Sequence, residues 1–147
     1  MNLTYNRVLD FTTPTFYYYR MSHNHDHSSL IKELAAEYEE ILADSEQAIY
    51  IFLDDATKIC NKKFSDLLGY ESPQAWSDSH GSFTDLFVAN ESQRALVSAY
   101  QKAMEKFVGS ESSITWKTAD GKTVDTKVIL VPIVFQHHLL ALHFVHK

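Results

Sequence analysis

The chain has 147 residues, one cysteine, and 19 acids against 13 bases, for a formal charge of −6. That length buries a core without covalent staples, and 45% hydrophobic with 22% charged residues excludes wholesale disorder. The lone Cys60 excludes an intramolecular disulfide and fits a reducing cytoplasm.

Residues 1–27 read as a flexible leader. They hold the aromatic cluster Phe16-Tyr17-Tyr18-Tyr19 and the tract His23-Asn24-His25-Asp26-His27, and no helical or strand period runs through them. The opening residues lack the charged start and apolar run of a signal peptide, and Met21 offers a second start. The unit at 28–44 reads as an amphipathic helix capped by Ser28 or Ser29. Its apolar stripe is Ile31, Leu34, Ala35, Tyr38, Ile41 and Leu42, with Glu33, Glu37, Glu39 and Glu40 off it. The charge is uneven: eight acids face three bases in residues 1–46, and eleven face ten in the remainder. No basic stripe exists, which argues against nucleic acid as a partner. The longest apolar run, Val128 to Phe135, is too short to span a bilayer and contains Pro132.

The domain proper spans 45–147. Ala48-Ile-Tyr-Ile-Phe-Leu53 is β-branched and aromatic, hence a strand; Asp54-Asp55-Ala56-Thr57 turns into a second short strand, Lys58-Ile59-Cys60. Asn61 caps a short helix that Gly69 ends. Residues 71–89 are loop-rich with one or two helical turns. Asn90-Glu91-Ser92-Gln93 resembles a capping box that opens a longer helix closed by Gly109. Three strands follow, at about 111–118, 123–135 and 139–146, joined by Asp120-Gly121 and by Gln136-His137-His138. The expected fold is α+β: five antiparallel strands with helices on one face, plus the N-terminal helix.

From about Ser45 to His146 the chain resembles a PAS domain. The carrying stretches are Tyr50-Ile-Phe-Leu-Asp54-Asp55, Ile59-Cys-Asn61, Phe64-Ser-Asp-Leu-Leu-Gly69-Tyr70, Phe83-Thr-Asp85-Leu-Phe87 and Ile114-Thr-Trp116-Lys-Thr-Ala-Asp120-Gly121. The resemblance implies a sheet cupped by short helices around a small-molecule pocket, used in sensing and dimerisation; it leaves ligand and output open. The family's flavin-thiol photosensors carry their cysteine on the helix beyond Gly69, where residues 70–109 have none. Its haem binders take an axial histidine from the long helix; residues 91–108 have none, and His80 in the loop is a poor substitute. The cofactor is therefore unknown. A planar ligand held without covalent chemistry stays open, with Phe52, Tyr70, Trp76, Phe87, Tyr100 and His143 as candidate pocket lining and ordinary core packing as the competing reading.

Catalytic patterns are thin. There is no Gly-rich phosphate loop, Cys-x-x-Cys or His-Glu-x-x-His, and Cys60 on a short strand reads as a buried structural thiol. The alternatives to a sensor are a cone-shaped, isomerase-like enzyme and a purely structural dimerisation module. His23, His25 and His27 are candidate metal ligands by composition, with an adventitious site as the plainer reading. Finally, the strands at 49–53, 128–135 and 139–142 are apolar at both parities, so both sheet faces need cover. The helices at 61–109 reach one face. The other is expected to be covered by the N-terminal helix, alone or with a second subunit, and a homodimer through this face and Ile31, Leu34, Tyr38 and Ile41 is the expected partner arrangement.

Overall fold

A computed structural model of the chain describes residues 27–147 in full and, as backbone only, two short strands, β1 (Asn6–Leu9) and β2 (Tyr17–Arg20). The order continues α1 (Ser28–Glu37), α2 (Glu39–Asp44), β3 (Ala48–Asp54), β4 (Thr57–Cys60), α3 (Lys62–Leu67), α4 (Pro73–Ser77), α5 (Phe83–Phe87) and α6 (Asn90–Lys106). It ends with β5 (Ser110–Lys117), β6 (Thr123–Phe135) and β7 (His138–His146). The five long-range strands pair antiparallel, as expected, and their spatial order is β4-β3-β7-β6-β5. The β1–β2 hairpin adds to the start of β7 at Val8↔His138. No strand was expected there, because no period of two runs through residues 1–27.

Alternation divides the strands between two cores. Tyr50 and Phe52 of β3, with Leu139, Ala141 and Val145 of β7, face α3–α6 in one cluster. Ile51, Leu53 and Leu140 face the other side, where Leu30 and Leu34 of α1 cover them. The first face is thus buried, and the second is covered in part by the chain's own helix. Three details differ from expectation. The N-terminal helix pauses at Tyr38, its N-cap is His27 with no side-chain cap bond, and its buried positions are Leu30 and Leu34 while Ile41 is 52% exposed. The capping box does not form. Ala89 is the N-cap of α6, Gln93 Nε2 donates to the carbonyls of Val88 (3.1 Å) and Thr84 (3.2 Å), and Ser92 Oγ accepts from Thr115 N–H on β5 (2.9 Å). Ser92 thus pairs with the edge of β5, and Gln93 Nε2 is shared between the end of α5 and Asn90 Oδ1 of its own helix (3.3 Å). At the other end α6 stops at Phe107, a left-handed residue (φ +56°), two positions before Gly109.

Buried Asn61 joins strand to helix. Its Oδ1 accepts from Phe64 N–H (3.1 Å), capping α3, and from Ile49 N–H of β3 (3.0 Å), while Nδ2 donates to Gln47 O (2.8 Å). Asn61→Ala should cost about 2–4 kcal/mol, combining a lost cap with buried groups left unpaired. Asn61→Asp keeps both acceptor bonds but sets a carboxylate oxygen against Gln47 O, so it should recover only part of that loss. Chemical denaturation of both variants checks this, and equal losses would contradict it.

Candidate functional site

The space between the sheet and α3–α6 is built from rings. Tyr50 is its hub because β3 points it into the helical layer opposite His143 of β7. Its ring centroid lies 3.9 Å from His143, nearly parallel, and 4.7, 5.5, 5.6 and 5.8 Å from Phe64, Phe83, Trp116 and Trp76. Of the sequence candidates, Phe52, Trp76, Phe87, Tyr100 and His143 are buried here, and half-buried Tyr70 stands at the edge, 5.8 Å from Phe87. Tyr50, Phe64, Phe83 and Trp116 were not among those candidates. Strand alternation holds the signal for Tyr50, which shares the parity of Phe52.

Polar groups inside this layer are unequally satisfied. Trp116 Nε1 donates to Thr126 Oγ1 (2.8 Å), which donates onward to Ile114 O (2.9 Å). Tyr100 O–H reaches Leu53 O at 3.5 Å. By contrast, Tyr50 Oη and Trp76 Nε1 are buried and hydrogen-bond to none of the described residues. Burial holds the Tyr50 and Tyr100 hydroxyls above the ordinary phenol range. His143 Nδ1 bonds Ala141 O at 3.1 Å, and burial pushes the imidazole down to about 3 from its usual 6.5, so it is neutral.

Below the rings, Lys58 is buried and donates to three carbonyls, Asp55 O (2.9 Å), Ser79 O (3.1 Å) and Ser77 O (3.2 Å). Three acceptors use all three protons of an ammonium, so the group is charged in place although desolvation lowers its pKa. It ties the β3–β4 turn to the end of α4, with Trp76 and Phe87 rings 5.6 and 5.8 Å away. A half-open groove of about 420 Å3 runs between α1 and the β4–α4 edge, lined by His27, Ile31, Asp54, Ile59 and Asp78 among others. His27 contacts Asp54 there (Nδ1 to Oδ2, 3.4 Å) and stands edge-on to His138. His23 and His25 lie outside the described residues, and among those described no three ligand side chains gather as a metal site.

Known cofactor chemistry of the fold can be tested against these residues. Cys60 lies buried on β4 with its thiol pushed up to about 12, so it does not fit the role of a flavin-reactive thiolate. His143 is engaged by backbone and stacked on Tyr50, and His80 is exposed in the α4–α5 loop, so neither is presented as an axial haem ligand. No helix among the described residues is long and apolar enough to cross a membrane.

Comparison with solved structures agrees with this architecture. The chain resembles a PAS domain from a two-component sensor histidine kinase, with a TM-score of 0.59 at 12% identity over 78% of this chain and 97% of that one. The PAS domain of an HTR-like protein from Haloarcula marismortui aligns with a TM-score of 0.55 at 16% identity, over 82% and 96% of the two chains. For the PAS domain of nitrogen regulation protein NR(II) from Vibrio parahaemolyticus the values are 0.55, 18%, 73% and 94%. No family model matches the sequence, and neither does any curated protein. The fold is a PAS fold.

The neutral His143 carries a pH signature. Between pH 6.5 and about 3 the unfolded chain binds a proton that the folded imidazole refuses, so stability present above pH 6.5 is lost as pH falls through that window. The loss from this one group should be about 1.4 kcal/mol per pH unit. Denaturant midpoints measured across that window should fall more steeply for the wild type than for His143→Phe; parallel curves would show that another group titrates.

Proposed function

We propose that the chain is a PAS-type sensory or regulatory domain in signal transduction that acts through protein association, as a homodimer. The carrying observation is the incomplete cover of the outer sheet face. Leu30 and Leu34 of α1 seal the part around Ile51, Leu53 and Leu140, while Ile129 is 38% exposed and its cross-strand neighbour Phe144 and nearby Val131 are only half-buried. Of the four helix residues expected at the interface, Leu34 is spent on the chain's own sheet and Ile31 and Tyr38 are half-buried; Ile41 remains open. An apolar strip of this kind is a recognised mark of an association surface. Light scattering at micromolar concentration should return twice the chain mass. A monomer mass would sink the reading.

A second reading, ligand sensing between the sheet and residues 61–109, is favoured by the unpaired Tyr50 Oη and Trp76 Nε1. Rings packed this closely suit a small polar molecule better than a tricyclic cofactor, and one structural neighbour, the PAS-B domain of Drosophila melanogaster Cycle, is described with bound ethylene glycol. Native mass spectrometry of protein purified from its host should then show a small adduct that Tyr50→Phe weakens; an adduct-free spectrum, with a colourless preparation, leaves association alone.

A further inference from the structure

Two histidines from distant parts of the chain meet beside the groove between α1 and the β4–α4 edge. His27, the N-cap of α1, is buried and lines that groove together with Asp54 at the end of β3. Its ring centroid lies 5.3 Å from that of His138, the first residue of β7, with the ring planes at 78°. Each ring is oriented through Nδ1. On His27 this nitrogen faces Asp54 Oδ2 at 3.4 Å, and on His138 it faces Gln136 O at 2.9 Å. Carbonyl and carboxylate oxygens only accept, so Nδ1 carries the proton in both rings, and in a neutral imidazole Nε2 then carries the lone pair. Asp54 is itself fixed, because its Oδ1 accepts from Ala56 N–H at 3.0 Å. A carboxylate or a backbone carbonyl on the far nitrogen is the arrangement that orients a metal-ligating histidine.

We infer that His27 and His138 are paired nitrogen ligands for a divalent transition-metal ion of the zinc type, with Asp54 as the positioning carboxylate of His27 and water completing the coordination. The ring spacing fits. A tetrahedral ion about 2.0–2.1 Å from each nitrogen sets two imidazole centroids about 5 Å apart. Imidazole nitrogen suits Zn2+, Ni2+ or Cu2+, whereas Mg2+ and Ca2+ take oxygen ligands. The half-open groove gives the ion a path to His27. Composition alone offered His23, His25 and His27 as ligands, and the fold seats His27 against a second histidine that the tract does not contain. The two ligands and Asp54 come from α1, β7 and β3, so the ion pins the start of α1 to the sheet and binds the folded chain in preference to the unfolded one.

The test titrates the full chain with Zn2+ by calorimetry and follows its unfolding midpoint in denaturant. Zn2+ should bind and raise the midpoint, and Mg2+ at the same concentration should do neither. In hydrogen exchange, Zn2+ should slow the amides of residues 28–34. His27→Ala and His138→Ala should each weaken Zn2+ binding at least about tenfold and remove the rise in midpoint. Asp54→Asn, which keeps the Oδ1 bond to Ala56, should weaken it about tenfold through the orientation of His27. His80→Ala, at an exposed position of the α4–α5 loop, should leave binding unchanged. Circular dichroism without metal should match the wild type for each variant. A wild-type chain that gains no stability from Zn2+ overturns the inference. So does binding that survives His138→Ala undiminished and disappears in the double variant His23→Ala with His25→Ala, which marks an adventitious ion only, held by the tract.

Discussion

A sheet whose strands are apolar at both parities must be covered twice, and the rest of this structure follows from that constraint. One cover is the helical layer inserted between β4 and β5, which meets the sheet through rings. The other is α1, laid across the opposite face by a chain that reaches it before entering β3. The two covers are unequal in kind. The inner one is held by buried hydrogen bonds at defined angles, such as those of Asn61 and Lys58, whereas the outer one is a helix held mostly by Leu30 and Leu34 against aliphatic strands. Aliphatic contact is non-directional, so the outer cover is fixed less by angle than the inner one.

The end of α3 and the β5–β6 turn are far apart in sequence and touch in space. Gly69 takes a left-handed conformation (φ +76°) as α3 closes, and Leu68 O, freed at that helix end, accepts from Ala119 N–H at 2.8 Å. The turn that supplies this donor is itself shaped by Gly121 (φ +84°) and by the Thr118 hydroxyl bonded to Asp120. A helix terminus leaves carbonyls without intrahelical partners, and here a hairpin tip supplies one. The end of α3 is thereby tied to the β5–β6 turn.

Much of this was legible in the chain. Strand limits for β6 and the Asn61–Gly69 helix follow from β-branched runs, an Asn cap and a glycine stop, because those signals act within a few residues of where they are written. The need for a second cover was equally legible, since parity is a property of each strand alone. Candidate rings such as Phe52, Trp76 and His143 could be named singly. That Tyr50 stands at their centre could not, because it depends on which strand lies opposite β3 and at what register.

Tertiary structure decided where local signals had competing uses. The segment Asn90-Glu91-Ser92-Gln93 resembled a capping box, whereas Ser92 ties to β5 and Gln93 to the end of α5. Phe107, not Gly109, takes the left-handed position at the end of α6, three residues before β5 begins at Ser110. Leu30 displaced Ile41 as the buried partner of the sheet, since α1 docks by its first half and leaves α2 exposed. By itself the sequence determined the strands from β3 to β7 with the helices between them, their order and the requirement for two covers, all consequences of short-range chemistry. Which side chains meet, which polar groups stay unpaired and which apolar surface is left open were decided by packing, because those depend on contacts between segments that no local pattern encodes.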